Sequence, residues 1–470
     1  MNTKFIQRSV AAYVNKLVIA TICVFVLFLS NVNAQVNVSG SNGADGNYTT
    51  LTAATAAFNK INSNNQAGKN IVIKITADIV AEPGTVALTG ATGMWNTLTI
   101  IPDGGNRSIT GNINSGLIRL DGAKRVTIKN NDAYRLTFSN IYSGGSASTL
   151  FFINDACYNV IQNCDFLGSG RNYNTGVICF STGKGGGSGN DNNTISNCNI
   201  REAGGNNPYI GICSVGRDMP GQTNSNNTIS DCNIYNFSNV TMNGWHAGIY
   251  LDQGNDTWTI SGNSIYQTSP YTSGSYICDH YGIRISCLKG NGFKVTGNYI
   301  GGTASSCGGS HWTIGSSGTH ISSRFRGIYL RVGSADTTFV TKNTVSKVDL
   351  YTTLVLTSGT INIDDSASFM GIFGSRGLLN TSENTIGSQT LTDDIIYSAQ
   401  GPQQAHSMGI LYAGLDDWVS NKNVIGGITG KNTGSAYTQI YALELIPKID
   451  GKNGHAEIIL LAALLQIQFK

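Results

Sequence analysis

The sequence is poor in charge: Asp, Glu, Lys and Arg together supply 12% of its 470 residues, about half of the roughly 25% usual in soluble domains. A net charge of +3 over that length builds no extended basic surface for phosphate backbones, which argues against nucleic acid as a partner. Helical stripes at i, i+3, i+4 are missing from most of the chain, and that disfavours strand–helix repeats. No two-residue hairpin turn recurs at a fixed place, so the antiparallel blades of a propeller are disfavoured too. The cysteines include no Cys-x-x-Cys pair with a flanking histidine, and they do not read as a metal centre.

Long apolar runs are scarce as well. The one from Leu17 to Leu29 follows Lys4, Arg8 and Lys16 and precedes Val32-Asn33-Ala34. It is shorter than the ~20 residues of a spanning helix. A basic region, a short apolar region and a small residue before the break make residues 1–34 a signal peptide, with cleavage after Ala34. The expected location is secreted or cell-surface, with no membrane span after processing. An uncleaved anchor is the alternative. Nine of the ten cysteines stay once Cys23 leaves, so at least one is unpaired or pairs between chains.

What the chain has in quantity is glycine, 58 residues, and a repeat built on two columns. The first reads Ile161-Gln-Asn-Cys164, Ile195-Ser-Asn-Cys198, Ile229-Ser-Asp-Cys232, Ile260-Ser-Gly-Asn263, Val295-Thr-Gly-Asn298 and Val340-Thr-Lys-Asn343, with weaker copies ending at Asn384 and Asn423. The second reads Gly176-Val, Gly211-Ile, Gly248-Ile, Gly282-Ile, Gly327-Ile, Gly371-Ile and Gly409-Ile. Self-similarity at this period signals a solenoid. Short β-branched strands around a recurrent turn predict an all-β, right-handed parallel β-helix. Its coils stack at ~4.8 Å, so identical positions lie above one another. Asn in such a column bonds to turn backbone and to the next Asn. The spacing of Leu51, Ala54, Ala57, Phe58 and Ile61 predicts a short helix that caps the N-terminal end. The expected divisions are residues 35–70 for strand and cap, 71–440 for the β-helix, and 441–470 for an atypical tail, a cap or a truncated end.

The chain resembles the large secreted or surface β-helix proteins of Bacteroidetes-type bacteria. The stretches that carry the resemblance are 48–62 (YTTLTAATAAFNKIN), 152–156 (FINDA), 189–195 (GNDNNTI), 258–265 (WTISGNSI) and 298–312 (NYIGGTASSCGGSHW), within residues 45 to 430. It implies a parallel β-helix without an assigned reaction. The C-terminal sorting domain common in such proteins is not recognisable here.

Four groups of residues are candidates for function. Cys164, Cys198 and Cys232 precede Asn in one column, and their parallel side chains suit a buried thiol ladder better than disulfides. His246 and His280, with Asp279 beside the second, offer two imidazoles and a carboxylate for a metal or a shared proton. The same position holds Tyr209, Phe325 and Phe369, so a plain ring stack also explains them.

In the strand after each Gly, the outward column reads Ile178, Cys213, Tyr250, Arg284, Tyr329, Phe373 and Leu411. Tyr250, Arg284, Tyr329 and Phe373 would form an aromatic and basic platform for sugar rings, unless loops cover it. Acid pairs at Asp364-Asp365, Asp393-Asp394 and Asp416-Asp417 fall at different places in their coils. The Gly-His-Gly and Arg-Ile-Lys signatures of polygalacturonase-like enzymes are absent. The sequence therefore points to a non-catalytic, adhesin-like scaffold that binds a polysaccharide or cell-surface glycan and needs no cofactor. A polysaccharide lyase or glycoside hydrolase acting on uronate-containing polymers, with calcium, is the alternative.

Overall fold

The structure is a computed structural model that describes residues 34–445, except 183–188, 239–243, 273–276, 355–366, 402–404 and 433–437. The expected signal peptide as far as residue 33, the tail beyond Leu445 and the pair Asp364-Asp365 lie outside the described residues.

Strands of two to ten residues with inward β-branched side chains stack in register, and most coils contribute one strand to each of three long sheets. The first sheet has 13 strands and the second and third have ten each. Ile161 pairs with Ile195, Ile195 with Ile229, Ile229 with Ile260, Ile260 with Val295 and Val295 with Val340. The strand pairs are parallel except at the start, where Val36–Ser39 runs antiparallel to Gly46–Tyr48 and to Asn70–Ile75. This is the expected right-handed parallel β-helix. One apolar core runs through it from Val36 to Ile428. Burying each Ile or Phe in that core contributes about 1.5–3 kcal/mol. Equivalent rings stack, as in Phe138 on Phe166 at 5.2 Å and Phe152 on Phe180 at 4.2 Å.

The turn from the first sheet to the second explains the Asn/Cys column. The residue before each member is left-handed: Asn163 (φ 58°), Asn197 (52°), Asp231 (54°), Gly262 (66°) and Gly297 (66°), then Lys342 (58°), Glu383 (59°) and Lys422 (53°) in the later coils. Asn, Asp and Gly tolerate that conformation best. The next residue turns inward and bonds along the stack. Asn263, Asn298, Asn343 and Asn384 each donate to the Oδ1 of the next Asn, ending at Asn423. Cysteine does the same work weakly, since the Cys232 N–H donates to Asn263 Oδ1 and the Cys198 N–H reaches Cys232 Sγ at 3.5 Å. All nine described cysteines are buried free thiols. A second ladder, Asn159 to Asn193 to Asn227, runs at the other end of the first-sheet strand.

Crowding, rather than a special backbone angle, dictates the Gly column. A Cβ on Gly282 would sit 2.6 Å from Gly327 O and 2.6 Å from Ile300 Cγ2. One member of the expected column is misplaced. Ile178 pairs with Ile212 and is fully buried in the core, so Val177 takes the Gly position and Cys179 precedes Cys213 in the outward column.

Coils after Asn298 are longer because a fourth sheet of four strands, Trp312–Ile314, Val348–Thr352, Ile395–Ala399 and Ile428–Asn432, enters between the second and third. At the N-terminal end the helix is shorter than its spacing suggested, Ala57–Asn62, with Phe58 and Ile61 fully buried. Leu51 and Thr52 instead donate their N–H groups to the carboxylate of Glu82, which draws them into a turn. At the other end the third sheet continues to Leu445, past the expected boundary at 440.

Candidate functional site

The site lies on the third sheet, where Gly244–Leu251, Cys278–Cys287, Ser323–Val332 and Phe369–Arg376 stack in parallel. Side chains alternate across a strand, so each strand offers two different faces. The alternation shifts by one at the Gly column: Ala247 and Tyr250 belong to the outer cluster, while Ile249 and Leu251 belong to the core.

The outer face gathers Trp245, Tyr250, Tyr281, Arg284 and Tyr329. The Arg284 guanidinium carbon lies 4.4 Å from the Trp245 ring centre, 5.0 Å from Tyr281, 5.3 Å from Tyr250 and 5.7 Å from Tyr329. Cation–π attraction from four rings fixes this charge. Arg284, Trp245 and Tyr329 are half-buried. No side chain or carbonyl among the described residues hydrogen-bonds the guanidinium, and Nε is buried without a partner. The expected open platform is therefore corrected. Tyr250 is 6% and Phe373 1% exposed, so both form a floor, and Phe373 belongs to a separate buried group with Met370, Met408 and Leu411.

Asp279 does not join the two histidines. It lies on the opposite face, where Arg326 reaches it at 3.3 Å, Arg324 at 3.6 Å and the Tyr281 hydroxyl at 3.3 Å. Arg326 is fully buried. Burial pushes the Tyr281 phenol up to about 12, which disfavours it as a proton acceptor at neutral pH.

His246 and His280 pair in register on the other face. Their rings are 5.8 Å apart and tilted by 42°, and Tyr209 meets His246 edge-on at 72°. The plain stack holds only further along, between Phe325 and Phe369 at 12°. Cys278 Sγ lies 3.0 Å from His246 Nδ1. Burial lowers His246 to about 3 and His280 in the same direction, keeping both imidazoles neutral, and raises the Cys278 thiol to about 12. One ring nitrogen of each histidine and the Cys278 sulfur lie within 4.8 Å of one another, so the third donor beside the two imidazoles is the Cys278 thiol rather than the Asp279 carboxylate.

The remaining acids hold turns. Asp393 accepts from Thr429, Asp394 from the Lys347 N–H, and Asp416 from the Gly377 N–H. Sequence reasoning missed Trp245, Cys278, Tyr281 and Arg326. Cys278 was accessible, since it stands two residues before His280 and alternation puts both on one face. Trp245 and Tyr281 were not, because the shift at Gly248 and Gly282 hides which residues share a face with Arg284.

No protein-family model matches the chain, and no curated protein matches it. Among solved structures it is similar to PfbA, a surface adhesin of Streptococcus pneumoniae, at 13% identity and a TM-score of 0.42 over 78% of this chain and 81% of that one. An alginate lyase from Paenibacillus sp. is similar at 13% identity and a TM-score of 0.29, over 74% of this chain and 92% of that one. The mannuronan C-5 epimerase A-module from Azotobacter vinelandii is similar at 11% identity and a TM-score of 0.26, over 76% and 91%.

Proposed function

We propose that this chain is a non-catalytic β-helix scaffold that works outside the cytoplasm and binds acidic polysaccharide at the outer face of the third sheet. Arg284 carries the reading. Its charge is held by four rings, is not neutralised by a carboxylate within hydrogen-bonding distance, and remains partly open to solvent beside Trp245 and Tyr329. A guanidinium in this state suits a sugar carboxylate, and the half-buried rings beside it suit the C–H faces of sugars. Asp279, on the same strand, is engaged by Arg324 and Arg326, which speaks for binding over acid–base chemistry.

The test is retention on an immobilised uronate polymer and on a neutral glucan. Arg284→Leu is the informative variant, because Leu411 occupies the same column three coils later. The expected result is loss of uronate retention with thermal unfolding nearly unchanged. Equal retention by parent and variant would overturn the proposal. Release of unsaturated or reducing ends from the uronate polymer, with or without calcium, would replace it with a lyase or hydrolase reading.

A further inference from the structure

We propose that His246, Cys278 and His280 form a buried site for a transition-metal ion of the zinc class. The three donors lie within 4.8 Å of one another. A tetrahedral ion with bonds of ~2.0–2.3 Å places its donors roughly 3.3–3.8 Å apart, a closure that small side-chain rotations accomplish. All three residues are buried, at 2%, 0% and 0% exposure, which is the closed setting of a structural site.

Two observations favour a ligand over packing. His280 Nδ1 faces the Ser238 hydroxyl at 3.4 Å, whereas Nε2 is buried with no hydrogen-bond partner among the described residues. That is the arrangement of a ligating histidine, whose second nitrogen is held by a neighbour so that the first presents its lone pair. The column also already has a packing solution. Phe325 and Phe369 follow His280 at the same register position and stack well. Histidine takes the position in two consecutive coils, and the strand of the second also carries Cys278 on the same face.

The donor set selects the ion. Two imidazoles and one thiolate favour zinc-class ions over calcium or magnesium, which prefer oxygen. Tyr271, set edge-on to His280 with ring centres 4.6 Å apart, stands beside the three donors. Bound there, the ion fastens two consecutive coils behind the Arg284 face. Nothing in this inference depends on what that face binds.

The experiment uses the full chain. Metal content is measured by mass spectrometry as isolated, then Co²⁺ and Zn²⁺ are added to chelator-stripped protein while thiolate-to-cobalt absorbance and thermal unfolding are followed. The expected result is about one ion per chain, a near-ultraviolet charge-transfer band and a Zn²⁺-dependent rise in melting temperature. Cys278→Ser should abolish the band, and His280→Phe should weaken Zn²⁺ binding ~100-fold or more. Cys213→Ala, a buried thiol outside the group, should leave both unchanged. No band and no Zn²⁺ effect in the parent, or binding that survives in both variants, would overturn the proposal. Should Cys278→Ser fail to fold, His280→Phe decides, because the neighbouring coil accepts phenylalanine at that position.

Discussion

Asn263 donates both its backbone N–H and its side-chain amide to one oxygen, Oδ1 of Asn298, at 3.1 and 2.9 Å. Asn298 repeats the pattern toward Asn343 and also reaches Ile260 O at 2.9 Å. Each step satisfies turn groups sealed from water, and an orphaned buried group costs about 1–3 kcal/mol. Asn298→Ala strands several at once, so a loss of about 3 kcal/mol or more is expected in denaturant unfolding. A loss under about 1 kcal/mol would mean that water replaces the ladder.

Gly282 tests the crowding argument. Gly282→Ala drives a methyl group to 2.6 Å from both the Gly327 carbonyl and Ile300, and overpacking of that kind costs about 1–3 kcal/mol. Gly318→Ala meets nothing within 4 Å and should stay within about 0.5 kcal/mol of the parent. Equal thermal shifts for the two variants would refute steric crowding as the reason for the column.

The Asp279–Arg326 pair should show strong non-additivity. Asp279→Ala removes a partner from a fully buried guanidinium, and breaking such a pair costs about 3–5 kcal/mol. Adding Arg326→Met to that variant should recover much of the loss, since Met370 fills the same position in the next coil. A double variant no more stable than Asp279→Ala would show that the pair is not energetically linked.

Glu82 predicts a pH dependence. Burial raises its carboxyl above the ordinary 4.5 despite its hydrogen bonds to Leu51 and Thr52, so between the two values the folded state binds the extra proton. The cost of ionising it is absent below the unfolded value and complete once pH exceeds the folded one. The stability of Glu82→Gln relative to the parent should therefore be highest near neutral pH and decline on acidification toward pH ~4. Paired denaturant titrations across that range check it, and a difference that grows on acidification would contradict the assignment.

The stacked turns were readable in the sequence because the side chain that bonds along the stack recurs in every coil, from Cys164 to Asn423. The second ladder, Asn159 to Asn227, was also within reach, since Asn193 and Asn227 both stand before Thr-Ile. The candidate site was only half legible. Arg284 and Tyr329 belong to the outer face as expected, but Tyr250 and Phe373 are covered, and Asp279 points away from the histidines it adjoins.

By itself the sequence determined the solenoid and its Asn/Cys turn column, because both follow from residues repeated at equivalent positions. Only the tertiary structure decided which neighbours share a face on the third sheet. Alternation along a strand is exact until the chain bends at glycine, where a one-residue shift reverses inward and outward for everything beyond. That reversal brings Trp245 and Tyr281 to Arg284 and leaves Cys278 with His246 and His280. A linear pattern does not carry it, because the lack of room for a Cβ at these glycines is set by the neighbouring coil, not by the strand's own residues.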